Sequence, residues 1–196
     1  DIFGATYDGE EIRPDTLRAE ALIARASDRL DERFEGSARV KAALTIQIGQ
    51  LYDGIRRPVR ALERYQTAEQ IARPAGANDV LAEALLHVAY AHGGAGRCTE
   101  AIAALDEAAA LHDAPDFTVS VRVSRGGNLS CLGRYDEAIA DLVVARRLEP
   151  DDGFILHTLA DAYHRAGQTD HALETMRASV ACGDAGYPAG HAVLTA

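Results

Sequence analysis

The chain has 196 residues, of which 47% are hydrophobic and 26% are charged, and its net charge is −10. This length allows a sizeable core, and the acidic balance excludes nucleic acids and anionic membrane surfaces as partners. No apolar run is long enough to cross a bilayer. The three cysteines lie far apart and in no metal-binding spacing, so we expect unpaired thiols and a reducing compartment.

The N-terminal segment divides into an arm and a helix. Residues 1–14 are polar and contain two glycines and a proline, which predicts an extended or poorly ordered arm. An apolar residue then recurs every fourth position, at Leu22, Ala26, Leu30 and Phe34. This stripe predicts a helix over 15–35, which we expect to cover the open side of the next segment.

Four copies of one pattern follow, marked by the alanines Ala61, Ala101, Ala138 and Ala172. These markers are 40, 37 and 34 residues apart, and a period in this range is typical of stacked helical hairpins. The predicted repeats span about 38–73, 79–113, 117–150 and 152–183, each as two helices with no strand. We expect residues 15–183 to form one domain, and residues 184–196 to be a tail at which the natural chain continues.

Small residues at fixed positions explain why the helices can pack closely. Gly49, Ala89, Gly126 and Ala160 occupy one position of the first helices, opposite the marker alanines of the second helices. Large residues, such as Tyr65 and Leu142, follow, and we expect them to fill the gaps between repeats. The pattern predicts an all-α fold without a single closed core.

The run Leu132-Gly133-Arg134-Tyr135-Asp136-Glu137-Ala138 resembles the signature of the tetratricopeptide repeat. The resemblance implies a right-handed α-α superhelix (solenoid) of four helical hairpins with an extra N-terminal helix. It also implies protein or peptide binding in a concave groove lined by the first helices. Scattered residues from Phe3 to Tyr52 resemble, more narrowly, the repeat region of bacterial serine/threonine kinases and membrane-linked transcriptional regulators.

Arg122 and Arg125 occupy positions that are apolar or uncharged in the other copies and should be buried. One interpretation is a weakened first helix whose arginines extend to water. The other is an arginine pair that binds an acidic ligand group or a carboxylate on a neighbouring helix. The sequence leaves both open.

The repeat register predicts a peptide-binding groove on the first helices, with Tyr90 and Phe154 as apolar anchors and Arg165 as the partner of an acidic group. Its residues share helix faces at spacings of three and four. The predicted groove consists of Ile46, Gln50, Asp53, Leu86, Tyr90, Val123, Arg125, Phe154, His157, Asp161, His164 and Arg165.

Catalytic signatures are missing, and we predict no enzymatic activity, no cofactor and no metal. His157, Asp161 and His164 could ligate a metal, but we interpret them as a polar groove wall. The favoured hypothesis is a protein-interaction module, the regulatory or scaffold region of a larger bacterial signalling protein. The alternatives are structural self-association and chaperoning of secretion substrates. We expect a monomer or weak homodimer, cytoplasmic or, alternatively, the periplasmic domain of a membrane-anchored protein.

Overall fold

A computed structural model describes residues 6–7, 10–11 and 14–183, which form nine helices and one pair of very short strands. The helices are α1 (Pro14–Arg33), α2 (Ala38–Gly54), α3 (Pro58–Ala72), α4 (Asn78–Gly94), α5 (Cys98–Leu111), α6 (Pro115–Cys131), α7 (Tyr135–Leu148), α8 (Gly153–Arg165) and α9 (Thr169–Gly183). The predicted tail, 184–196, lies outside the described residues.

A pair of very short strands precedes the helices. Strands β1 (Thr6–Tyr7) and β2 (Glu10–Glu11) pair antiparallel, with Thr6 opposite Glu11 and Tyr7 opposite Glu10. Both lie in the segment predicted as an extended arm. Two neighbouring extended stretches can satisfy their backbone N–H and C=O groups by pairing with each other.

Capping residues set the starts of α2 and α8. The Ser37 side chain accepts a hydrogen bond from the Val40 amide at 3.3 Å, which caps α2. Asp152 caps α8 by accepting from the amides of Phe154 and Ile155 at 2.7 and 2.9 Å. Each bond satisfies an amide that has no partner within the helix.

The turn inside each hairpin contains one residue with a positive φ. Gly96, Gly133 and Gly167 occupy this position in the last three repeats, with φ of 71°, 73° and 76°. Arg56 takes the corresponding position in the first repeat, with φ of 58°. A side chain makes this backbone conformation unfavourable, so the first turn is strained relative to the other three.

The chain divides into two compact units, Asp1–Ala91 and His92–Ala196, with the division near the end of α4. In the first unit, α2 packs against α1 and α3. Gly49 faces the Tyr65 ring, and a Cβ at Gly49 would lie only 2.4 Å from Tyr65 Cε1. Ala61 is fully buried on the same helix as Tyr65.

The second unit repeats this packing with other large residues. A Cβ at Gly126 of α6 would lie 2.7 Å from Leu142 Cγ of α7. Leu142 is fully buried and packs with Leu129, Ala138 and Leu159. The predicted role of the small residues, close contact between paired helices, therefore holds at Gly49 and Gly126.

The expectation that the cysteines stay unpaired is wrong. Cys98, at the start of α5, and Cys131, at the end of α6, form a disulfide although they are 33 residues apart. The two helices are antiparallel neighbours, so the start of α5 lies beside the end of α6. The Cα atoms of the two cysteines are 6.5 Å apart. Cys98 is buried, whereas Cys131 is exposed and Cys182 is a free thiol.

Candidate functional site

The first helices of repeats one and two, α2 and α4, lie side by side in the first unit and are linked twice. Near their N-terminal ends, the Arg39 guanidinium pairs with the Asp79 carboxylate. Further along, Gln50 Nε2 donates a hydrogen bond to His87 Nε2 at 3.0 Å. These links define the α2–α4 face, the surface that lies over Gln50, Glu83, His87 and Tyr90.

His87 lies at the centre of an aromatic cluster on this face. Its ring stacks on Tyr65 with centroids 4.6 Å apart, and it meets the edge of Tyr90 at 5.8 Å. Burial lowers the pKa of His87, which agrees with a neutral ring that accepts from Gln50. The ring is therefore held in one orientation by contacts on several sides.

Tyr65 connects this aromatic cluster to the core of the first unit, because its side chain is buried. Its hydroxyl donates to Asp53 Oδ2 at 2.6 Å. Burial and this hydrogen bond to Asp53 raise the pKa of Tyr65. The bond also fixes the Asp53 carboxylate, one of the predicted groove residues, next to the aromatic cluster.

The predicted groove residues of the first unit thus differ in accessibility. Tyr90 is 45% exposed, and Asp53 is also exposed. Ile46 and Leu86 are buried in the core, so a ligand would not reach them in this structure. The repeat register did not identify His87 and Tyr65 as residues of the site. The position of His87, three residues before Tyr90 on the same helix, was the available signal.

In the second unit, the predicted groove residues lie on α6 and α8. Phe154 is 43% exposed, and His157 and His164 are exposed, whereas Val123 packs partly into the core. Arg165 donates to Asp161 at 2.7 Å on the helix surface. Both groups are about half exposed, and a pair of this kind is weak enough to exchange with a ligand group.

Arg125 does not extend to water but forms an ion cluster within the second unit. Its guanidinium donates twice to Asp141, at 2.6 and 2.9 Å, and once to Asp106 at 2.6 Å. Arg122 donates to the same Asp141 at 2.5 Å. The interpretation of a weakened helix with solvated arginines is wrong, because α6 is continuous and a carboxylate on a neighbouring helix binds both.

The hydrogen bonds to Asp141 and Asp106 raise the pKa of Arg125 above its already high value. Asp141 itself is buried, and its carboxylate accepts from two guanidinium groups. This arrangement joins α5, α6 and α7. Arg125, predicted as a groove residue, therefore has a structural partner set inside its own unit.

Neither a metal cluster nor a membrane-spanning helix occurs in the part of the chain that the structure describes. No group of three or more His, Cys, Asp and Glu side chains there could hold a metal ion. None of the described helices combines the length and apolarity that crossing a bilayer requires.

The chain matches no protein-family model and no curated protein. Its structure is similar to that of BtubC (BKLC) from P. vanneervenii, with a TM-score of 0.75 and 19% identity over 93% of this chain and 81% of that chain. A crystal structure of MamA gives a TM-score of 0.64 and 18% identity, covering 90% of this chain and 98% of that chain. A double mutant of RS-1 MamA gives 0.65 and 14%, covering 88% and 97%.

These similarities establish the fold. The chain is an all-α protein of the tetratricopeptide-like solenoid class, so the predicted fold class is confirmed. Identities below 25% carry no function across. Nothing in the comparisons supports the narrower resemblance to bacterial kinases and transcriptional regulators.

Proposed function

We propose that the chain is a non-enzymatic protein-interaction module that binds a peptide or protein segment on the faces of its first helices. The observation that carries the proposal is the α2–α4 face. There an exposed aromatic residue, Tyr90, lies beside polar groups that are already fixed by the Gln50–His87 and Tyr65–Asp53 hydrogen bonds.

Fixed polar groups beside an exposed aromatic ring favour binding. Ordering side chains during association costs free energy, and the contacts of His87 remove part of that cost beforehand. Aromatic residues supply much of the binding energy at protein interfaces. In the second unit, Phe154 is the corresponding exposed aromatic residue, next to the exposed His157 on α8.

The proposal also covers the cellular role, the oligomeric state and the compartment of the chain. We infer a regulatory or scaffold region of a larger bacterial signalling protein that is a monomer or weak homodimer and does not bind nucleic acid. Structural disulfides persist in oxidising compartments, so the Cys98–Cys131 bond favours the periplasmic alternative over the cytoplasm.

A displayed library of random peptides tests the binding function. Peptides are selected on the 196-residue chain, and their affinities are then measured for Tyr90→Ala and Phe154→Ala. Val59→Ala is the matched control, because Val59 is 57% exposed but lies on the second helix of its hairpin.

We expect selected peptides to lose about tenfold or more in affinity with one of the aromatic variants and to bind the Val59 variant normally. Equal affinity for all three variants would show that the predicted groove is not the binding surface. Sedimentation of the chain alone tests the self-association alternative, which predicts a stable dimer.

A further inference from the structure

On the α2–α4 face, Glu83 is a carboxylate to which the described residues supply no counter-ion. It precedes His87 by four residues and Tyr90 by seven on α4, so all three side chains share one side of the helix. Glu83 is partly buried. Among residues 14–183, whose contacts the structure describes, it has no hydrogen-bond or ion-pair partner.

The surroundings of Glu83 make its ionised form energetically unfavourable. Removing an ionised group from water without a compensating partner is unfavourable. Burial, and then the charge of Asp79, raise the pKa of Glu83 above its usual range. The nearby cation, Arg39, is already paired with Asp79. The sequence therefore keeps an uncompensated acid where a neutral side chain would be more stable.

The rest of the face is acidic or neutral. Asp53 accepts a hydrogen bond from the neutral Tyr65 hydroxyl and has no ion pair among the described residues. His87 stays neutral because burial lowers its pKa. A cation that reached this face would therefore meet carboxylates whose charge no side chain in the described part of the chain compensates.

We infer that the α2–α4 face binds a Lys or Arg side chain of a partner protein, with Glu83 as its counter-ion and the Tyr90 ring against its stem or charge. This inference rests on the proposed binding function and names the chemistry of the ligand. A cationic head is attracted to an aromatic face, and the methylene stem of Lys or Arg packs on apolar surface.

Charge complementarity selects this occupant. The whole chain carries a net charge of −10, which steers basic segments toward it and repels acidic ones. A second copy of the chain would bring the same charge, so self-association on this face is disfavoured. An acidic peptide would place its carboxylates against Glu83 and Asp53.

The test uses two synthetic peptide pools that are identical except at fixed positions, where one pool carries Lys and Arg and the other carries Gln. Binding of each pool is measured by fluorescence anisotropy with the wild-type chain, Glu83→Gln and Glu174→Gln. Glu174 is exposed on α9 in the second unit, so its variant changes the net charge equally.

We expect the wild-type chain and the control variant Glu174→Gln to prefer the basic pool about tenfold, a value typical of a partly exposed charge pair with added packing. Glu83→Gln should lose that preference. It should also unfold at a higher denaturant midpoint at neutral pH, because the uncompensated charge is gone. A wild-type chain that binds both pools equally, or a Glu83→Gln variant that keeps the preference, would overturn the inference.

The two proposals fail in different ways. If neutral library peptides bind and depend on Tyr90 but basic residues bring no advantage, the binding function stands and the ligand chemistry is wrong. If no peptide binds at all, both are wrong. Glu83→Lys adds a positive control, because reversing the charge should move the preference to a pool that carries Glu at the same positions.

Discussion

Gly126 and Gly127 are neighbours on α6 whose replacement by Ala should change the free energy of unfolding by different amounts. A Cβ at Gly127 would meet no atom within 4 Å. Gly127→Ala should therefore stabilise the protein by about 1 kcal/mol, the difference in helix propensity between the two residues. The added methyl group lies in open space, so no packing penalty opposes this gain.

Gly126→Ala has the same propensity gain but a steric cost. Its Cβ would lie 2.7 Å from Leu142 Cγ and 3.1 Å from both Leu142 Cδ atoms. Leu142 is fully buried, so it cannot turn away into solvent. Overpacking of this kind costs about 1–3 kcal/mol, and the net effect should lie between neutral and about 2 kcal/mol destabilising.

Urea unfolding followed by the helical circular dichroism signal measures both effects. Because both substitutions change the unfolded chain alike, the difference between the variants isolates the contact with Leu142, about 1–3 kcal/mol. Equal shifts in the same direction for the two variants would refute the argument. They would mean that α6 and α7 do not meet at Gly126.

Substitutions at three other places probe the ion cluster, the disulfide and the first turn. Asp141→Ala should destabilise the protein by about 2–3 kcal/mol, since two partly buried guanidinium groups lose their partner; Asp106→Ala should cost under about 1 kcal/mol, and equal urea midpoints would contradict this ranking. Replacing Cys98 and Cys131 by Ser should cost about 4 kcal/mol, from the loop-closure entropy of a 33-residue separation, and lower the Tm by roughly 10 °C. Three reactive thiols in the untreated denatured chain would instead show that the bond is absent. Arg56→Gly should stabilise by up to about 1 kcal/mol, because glycine adopts a φ of 58° without strain; a lower Tm would argue against strain at this turn.

The helices and their packing could be predicted because they depend on local patterns. The marker positions Ala61, Ala101 and Ala138 are fully buried, as a period of small residues requires. Gly49 and Gly126 lie against Tyr65 and Leu142, two of the large residues in the pattern. A period of this kind encodes which residues meet, since each hairpin pairs helices that are adjacent in sequence.

The side-chain networks could not be predicted in the same way. Arg125 reaches Asp141 and Asp106, which are 16 and 19 residues away, and the sequence contains many other acids at comparable distances. The Cys98–Cys131 bond depends on which helix ends meet in space. These contacts are set by side-chain directions between helices, which periodicity does not specify.

The candidate site shows the same limit. Gln50, Asp53 and Tyr90 were found from register, and the structure brings them together around His87. Register could not distinguish Ile46 and Leu86, which are buried, from their exposed neighbours, because one turn of helix contributes both to the surface and to the core beneath it. The peptide-binding role of these residues stays a prediction.

The fit of Gly49 against Tyr65, and of Gly126 against Leu142, limits where segments can be exchanged to build chimeras of such chains. Each glycine leaves room for the particular large residue on its own second helix. A chimera that exchanges a whole hairpin carries both members of the match and should fold. A chimera joined between the two helices of a hairpin would set unmatched shapes against each other, so crossovers in the loops between repeats should be the ones that yield folded proteins.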